Sequence, residues 1–210
     1  MRVMKKQWRD DLDTWVSPIL ANMLWIVLSL PIVTMPLALV GLFATMFHWM
    51  DDRRTQVFSI FFRTIRRVWW KAYCLFLLDL LVGGFIAFNL LILSQMNLRN
   101  PITMLSLGGT LFTALIFLAA NIPAWVFIAV WDVPLKQSLT VAIKLVFAQP
   151  IWTVALALVF SLIFVLSLAL PAAVFITVSG ALAAYIASWG SYYLLRKYIS
   201  RNDFQFVDVI

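Results

Sequence analysis

From Trp15 to Met50 the chain runs for 36 residues without a Lys, Arg, Asp or Glu. A helix that crosses a bilayer needs about 20 apolar residues, so this run is long enough to leave water altogether. As one straight helix it would measure roughly 54 Å at 1.5 Å per residue, against a hydrocarbon core of about 30 Å. Pro31 and Pro36 interrupt it near the middle. Each removes a backbone donor and disfavours helix at the residue before it. The run therefore predicts two passages, about 16–33 and 35–50. The second is short enough to stand nearly upright or to be a re-entrant half-helix.

Later runs repeat the pattern. Residues 69–94 form a span, and 102–130 form another, tilted or bent at Pro123. Ile151 to Leu194 offers 44 residues, enough for passages at 151–170 and 172–194 with a tight turn near Leu170-Pro171. A turn at Ser179-Gly180 would leave the last helix short of the bilayer. The expected fold is all-α: a single integral membrane domain over 1–210 with six passages, or five if the first hairpin is one bent helix. Composition closes off the alternatives. The chain is 64% hydrophobic and 12% charged, with a mean hydropathy of +0.97, whereas soluble domains run near 45–50% and about 25%. One Cys excludes a disulfide scaffold, and 7 Gly with 8 Pro are too few for a disordered chain. Residues 1–14 carry mixed charge before an over-long apolar run, so no cleavable signal peptide is expected.

The net charge of +7 would suit a nucleic-acid binder, but its placement does not. Arg2, Lys5, Lys6 and Arg9 precede the first run; Arg53, Arg54, Arg63, Arg66, Arg67 and Lys71 fall between the second and third. Lys136 and Lys144 lie in the 132–150 connection, and Arg196, Lys197 and Arg201 follow the last run, while the 95–101 connection has Arg99 alone. This is an orientation signal, and it predicts a multi-pass plasma-membrane protein with both termini cytoplasmic. Two cytoplasmic ends around residues 16–50 require an even number of crossings there, which favours the hairpin. Trp15, Trp49, Trp69, Trp70, Trp131 and Trp152 fall at the expected span ends, where indole rings favour the headgroup level. Trp25, Trp125 and Trp189 lie deeper and read as packing residues.

Two connections are amphipathic at helical spacing. In 55–68, Val57, Ile60, Phe61, Ile65 and Val68 share one side, with Arg63, Arg66 and Arg67 on the other. In 135–147, Leu135, Ser138, Leu139, Ala142, Ile143, Val146 and Phe147 share a side opposite Lys136, Thr140 and Lys144. Such helices rest in the interface with their basic face toward anionic headgroups, or offer a docking surface to a cytoplasmic partner.

Asp79 is the one acid well inside an expected span. A charge there costs about 2.5–3.5 kcal/mol, so it faces either a cavity that serves an ion, proton or substrate, or a hydrogen-bond partner. Asn22, Asn89 and Asn121 are the candidate partners. Gly180, Ala184 and Ser188 form a ladder of small residues that admits a close helix, as an internal contact or as an oligomer seam. Phosphate loops, His pairs and nucleophile–base relays are missing from the sequence. His48 and Cys74 are solitary, so no enzyme activity, cofactor or metal site is expected.

The first hairpin resembles the YesL family of bacterial membrane proteins, a domain of unknown function. The resemblance rests on Asn22, Trp25, Leu30-Pro31-Ile32-Val33-Thr34 and Ala38, then on Phe61-Phe62-Arg63 through Arg66-Arg67 to Trp69. It is clearest over 18–75. Where the family commonly has Gly-Pro after its Thr pair, this chain has Pro36-Leu37. The resemblance implies an accessory role beside a carbohydrate transport system, and it carries no catalytic or ligand-binding residues with it.

Overall fold

A computed structural model describes residues 2–51, 56–96, 100–169 and 179–202, with side chains described from residue 16 to 199 apart from 164, 167–169 and the breaks between these segments. Among the described residues the chain is helical, without strands. The elements are α1 (Arg2–Ser29), a 3-10 turn (Ile32–Thr34), α2 (Met35–Asp51), α3 (Val57–Ser94), α4 (Pro101–Trp131), α5 (Leu135–Ala148), α6 (Pro150–Ala169) and α7 (Gly180–Asn202).

The proline-marked break forms where the two prolines place it. Pro31 lacks the donor that would continue α1, and helix is disfavoured at Leu30 before it. Thr34 then closes the bend: its hydroxyl donates to the Leu28 carbonyl and lies 3.0 Å from that of Pro31, while its N–H donates to Pro31 at 3.0 Å. Pro36 sits in the first turn of α2, where a missing N–H costs nothing. α1 and α2 pack against each other, so residues 16–50 form a hairpin and not one bent rod. The first helix stops at Ser29, earlier than the expected 33, which leaves Val16–Ser29 as an apolar segment shorter than a span.

Three boundaries move further. Residues 55–68 and 69–94, expected as a surface helix and a span, are one uninterrupted 38-residue helix, α3. Nothing between Arg66 and Lys71 breaks a helix, so hydrogen bonding carries through the change of composition. The same transition after α5 does break: Pro150 follows Gln149, and α5 and α6 meet at 110°. The basic residues at the C-terminal end, expected as a tail, form the last turns of α7, and the helical backbone at the other end reaches back to Arg2. The expected turn at Leu170-Pro171 lies outside the described residues.

Among the described residues, three helices are long and apolar enough to cross a membrane: Ile32–Asp51 with its 3-10 turn, α3, and α4. A fourth is added if the bent α5–α6 pair is one broken span.

The core lies where α2, the first half of α3, the second half of α4, α5 and α7 meet. Ala38, Val40, Leu42 and Met46 of α2, Phe61 and Leu75 of α3, and Ala124, Val126 and Ile128 of α4 are buried there. Gly41 decides one contact: a Cβ added to it would stand 2.7 Å from the Phe61 ring, which is itself fully buried. α3 and α4 run antiparallel, with Lys71 opposite Asp132 and Asp79 opposite Trp125. Beyond Leu75 on α3 the buried residues are only Ile86 and Leu93, and before Ala119 on α4 only Thr103. This distal pair of half-helices is an apolar arm with most of its surface open.

On α3, Val57, Phe61, Thr64 and Val68 are buried, Ile60 and Ile65 are half-buried, and Arg63, Arg66 and Arg67 are exposed. On α5 the buried face is rotated from the expected one. Ser138, Val141, Ala142, Leu145 and Val146 are buried, whereas Ile143 and Phe147 are exposed beside Lys136 and Lys144. The reason is tertiary: Val141, Ala142 and Leu145 pack into the core, and Ser138 donates to the Ala124 carbonyl of α4 at 2.9 Å.

Candidate functional site

Asp79 lies on α3 beside the exposed Leu77, Leu80 and Leu81, and its Oδ2 accepts from the indole Nε1 of Trp125 at 2.8 Å. Trp125 is buried on α4, and Asn121 sits one helical turn before it on the same face, beside the carboxylate. Asp79 Oδ1 and Asn121 Oδ1 are buried and make no hydrogen bond among the described residues. The arrangement ties α3 to α4 through the indole hydrogen bond, with the Asn121 side chain close enough to the carboxylate to add a second. It is chemically suited to hold two helices in register or to bind a proton or small cation.

The four expected polar residues therefore divide. Asp79 and Asn121 come together. Asn89 lies ten residues further along α3, about 15 Å by helical rise, on the exposed arm. Asn22 belongs to a different contact: it is fully buried on α1, and its Oδ1 accepts from the Ala181 N–H of α7 at 3.0 Å. Trp125 was missed as a partner because periodicity identifies it only as apolar. Its spacing of four from Asn121 is the signal that would have paired them.

The small-residue ladder resolves inward. A Cβ on Gly180 would stand 2.3 Å from Asn22 Oδ1 and 2.7 Å from the Trp25 ring. Ala184 and Ser188 are buried, and the Ser188 hydroxyl lies 3.4 Å from the Phe43 carbonyl of α2. The ladder seats α7 on the first hairpin.

A second charged cluster marks one end of the bundle. Lys71 Nζ reaches Asp132 Oδ1 at 2.5 Å and the Asp132 carbonyl at 2.6 Å. Arg67 approaches Asp132 Oδ2 at 3.8 Å and donates to the Ala129 carbonyl at 3.3 Å. Asp132 ends α4 in the left-handed region, φ 55°, which an Asp tolerates. Two cations spaced four apart on α3 thus cap the carbonyl end of α4, where its dipole favours positive charge. Arg67 is engaged within the chain, and the side chains of Arg63, Arg66, Lys136 and Lys144 reach the surface. Both Lys71 and Asp132 are about one-third exposed, so Lys71→Ala should lower unfolding stability by about 1 kcal/mol or less. Denaturation in mixed micelles against Lys71→Arg measures it.

Fold and site together define a helical, membrane-type protein in which an acid on an apolar helix is held by an indole. Residues 19–90 match the family described as "Protein of unknown function, DUF624". The YesL family is this DUF624 family, so the resemblance holds over that segment, which contains α2, most of α3, the Thr34 bend and Asp79. No curated protein matches the chain, and no solved structure matches it.

Proposed function

We propose that this protein is a non-enzymatic, multi-pass component of the plasma membrane, with both termini cytoplasmic, that assists or regulates a transport complex for a carbohydrate. Arg63, Arg66, Lys136 and Lys144 form its contact with anionic headgroups and with that complex. The observation that carries the reading is the Asp79–Trp125 bond: the acid inside the apolar region is spent on joining two helices. Arg63 and Arg66 on α3 and Lys136 on α5 are exposed at the surface. Purification of the tagged chain in mild detergent should recover a stoichiometric membrane partner. A partner-free homo-oligomer would refute the accessory role.

A second reading makes the chain a small-solute or ion transporter in its own right, favoured by the unsatisfied oxygens of Asp79 and Asn121. One pair of variants separates the two. Asp79→Asn keeps an oxygen that accepts from Trp125, so a helix-joining role predicts unchanged stability; Asp79→Leu should lose about 0.6–1.7 kcal/mol. A transporter predicts that Asp79→Asn, though stably folded, abolishes flux in proteoliposomes.

A further inference from the structure

α6 and α7 are held together at their basic end by aromatic rings. Trp152 meets Tyr193 at 5.8 Å between centroids, and Tyr193 stacks on Trp189 at 5.9 Å. Between the two helices runs an open groove of about 380 Å³, lined by Trp152, Ala155 and Val159 on one side and Trp189, Gly190 and Tyr193 on the other. Gly190 forms its floor, because a Cβ there would stand 2.5 Å from Leu156 Cδ1. At the aromatic end the Lys197 ammonium lies 5.2 Å over the Trp152 ring and 5.9 Å over Tyr193, next to the exposed Arg196.

We propose that this groove is a binding site for one anionic phospholipid, its acyl chain along the groove and its phosphate at Lys197. The lining is almost wholly apolar, which suits a hydrocarbon chain, and the amphipathic rings stand where headgroup and chain meet. The apolar contact alone provides no choice of lipid, because a chain leaving bulk lipid for the groove exchanges one hydrocarbon surface for another. Selectivity comes from the cation. A lysine at the membrane surface favours an anionic over a zwitterionic headgroup by about fivefold. The site is separate from the exposed cations of α3 and α5 and does not depend on the accessory role.

The test is native mass spectrometry of the full chain from micelles doped with equal phosphatidylglycerol and phosphatidylcholine. The wild type should retain the anionic lipid about fivefold over the zwitterionic one. Lys197→Gln should equalise the two, and Lys197→Arg should keep the preference. Ala155→Trp, which fills the groove from an exposed position, should lose the bound lipid. A preference that survives Lys197→Gln, or full retention in Ala155→Trp, overturns the proposal. Helical content by circular dichroism identifies a variant that fails to fold, and the Lys197→Arg comparison then decides.

Discussion

Gly180→Leu is expected to detach α7 from the first hairpin. Even the first carbon of the new side chain would stand 2.3 Å from Asn22 Oδ1 and 2.7 Å from the Trp25 ring. Asn22 is fully buried, and a shift that clears the new carbon breaks its bond to the Ala181 N–H. Leaving that buried donor unpaired costs about 1–3 kcal/mol, and overpacking adds about 1–3 kcal/mol. The variant should therefore lose several kcal/mol, measured by unfolding in denaturing micelles. Asn22→Ala in the same background should recover part of the loss by clearing the clash, though not the hydrogen bond. A Gly180→Leu protein as stable as wild type would mean that α7 does not rest on α1.

Gly41→Ala tests the other close approach. Its Cβ would stand 2.7 Å from a Phe61 ring that is fully buried, and the expected cost is about 1–3 kcal/mol. Here the clash is with a side chain, so a second change should relieve it: Phe61→Leu combined with Gly41→Ala should be more stable than the sum of the two single effects. The double-mutant cycle reads that coupling directly. Additive losses would show that α2 and α3 adjust independently and that Gly41 is not there for Phe61.

Both predictions rest on glycines whose importance the sequence pattern left partly open. Gly180 stood out through its spacing from Ala184 and Ser188, but spacing alone allowed an internal contact or a seam between copies. The nearest atoms decide for the internal contact. Gly41 carried no pattern, because its reason is a ring twenty residues away in sequence. Gly83, Gly84, Gly108 and Gly109, by contrast, meet no atom within 4 Å, so a Cβ would be tolerated there by the chain itself.

Asp79 illustrates the same division at the candidate site. An acid in an apolar run is visible as an energetic exception, since its desolvation must be offset. Its partner is not visible, because hydrogen bonding between helices depends on their rotation and register. Two of the residues offered as partners, Asn22 and Asn89, are equally polar and equally deep in their runs. Only Asn121 lies beside Asp79, and the donor is Trp125, whose apolar bulk disguises its N–H.

What the sequence by itself determined is whatever depends on composition and local backbone chemistry. Apolar run lengths exclude a soluble fold, Pro31 and Pro36 place the hairpin, Arg63, Arg66 and Arg67 mark the outer face of α3, and Pro150 allows α5 and α6 to part. These follow because a bilayer selects on average hydropathy over about 20 residues and a proline acts on its immediate neighbours. Only the tertiary structure decided that α3 continues without a break, that α5 turns Ile143 and Phe147 outward, that Arg67 caps α4, and that α7 seats its small residues on α1 and α2. Each is a choice among helices of similar apolarity, and the choice is made by shape complementarity and a few directed hydrogen bonds between residues distant in sequence.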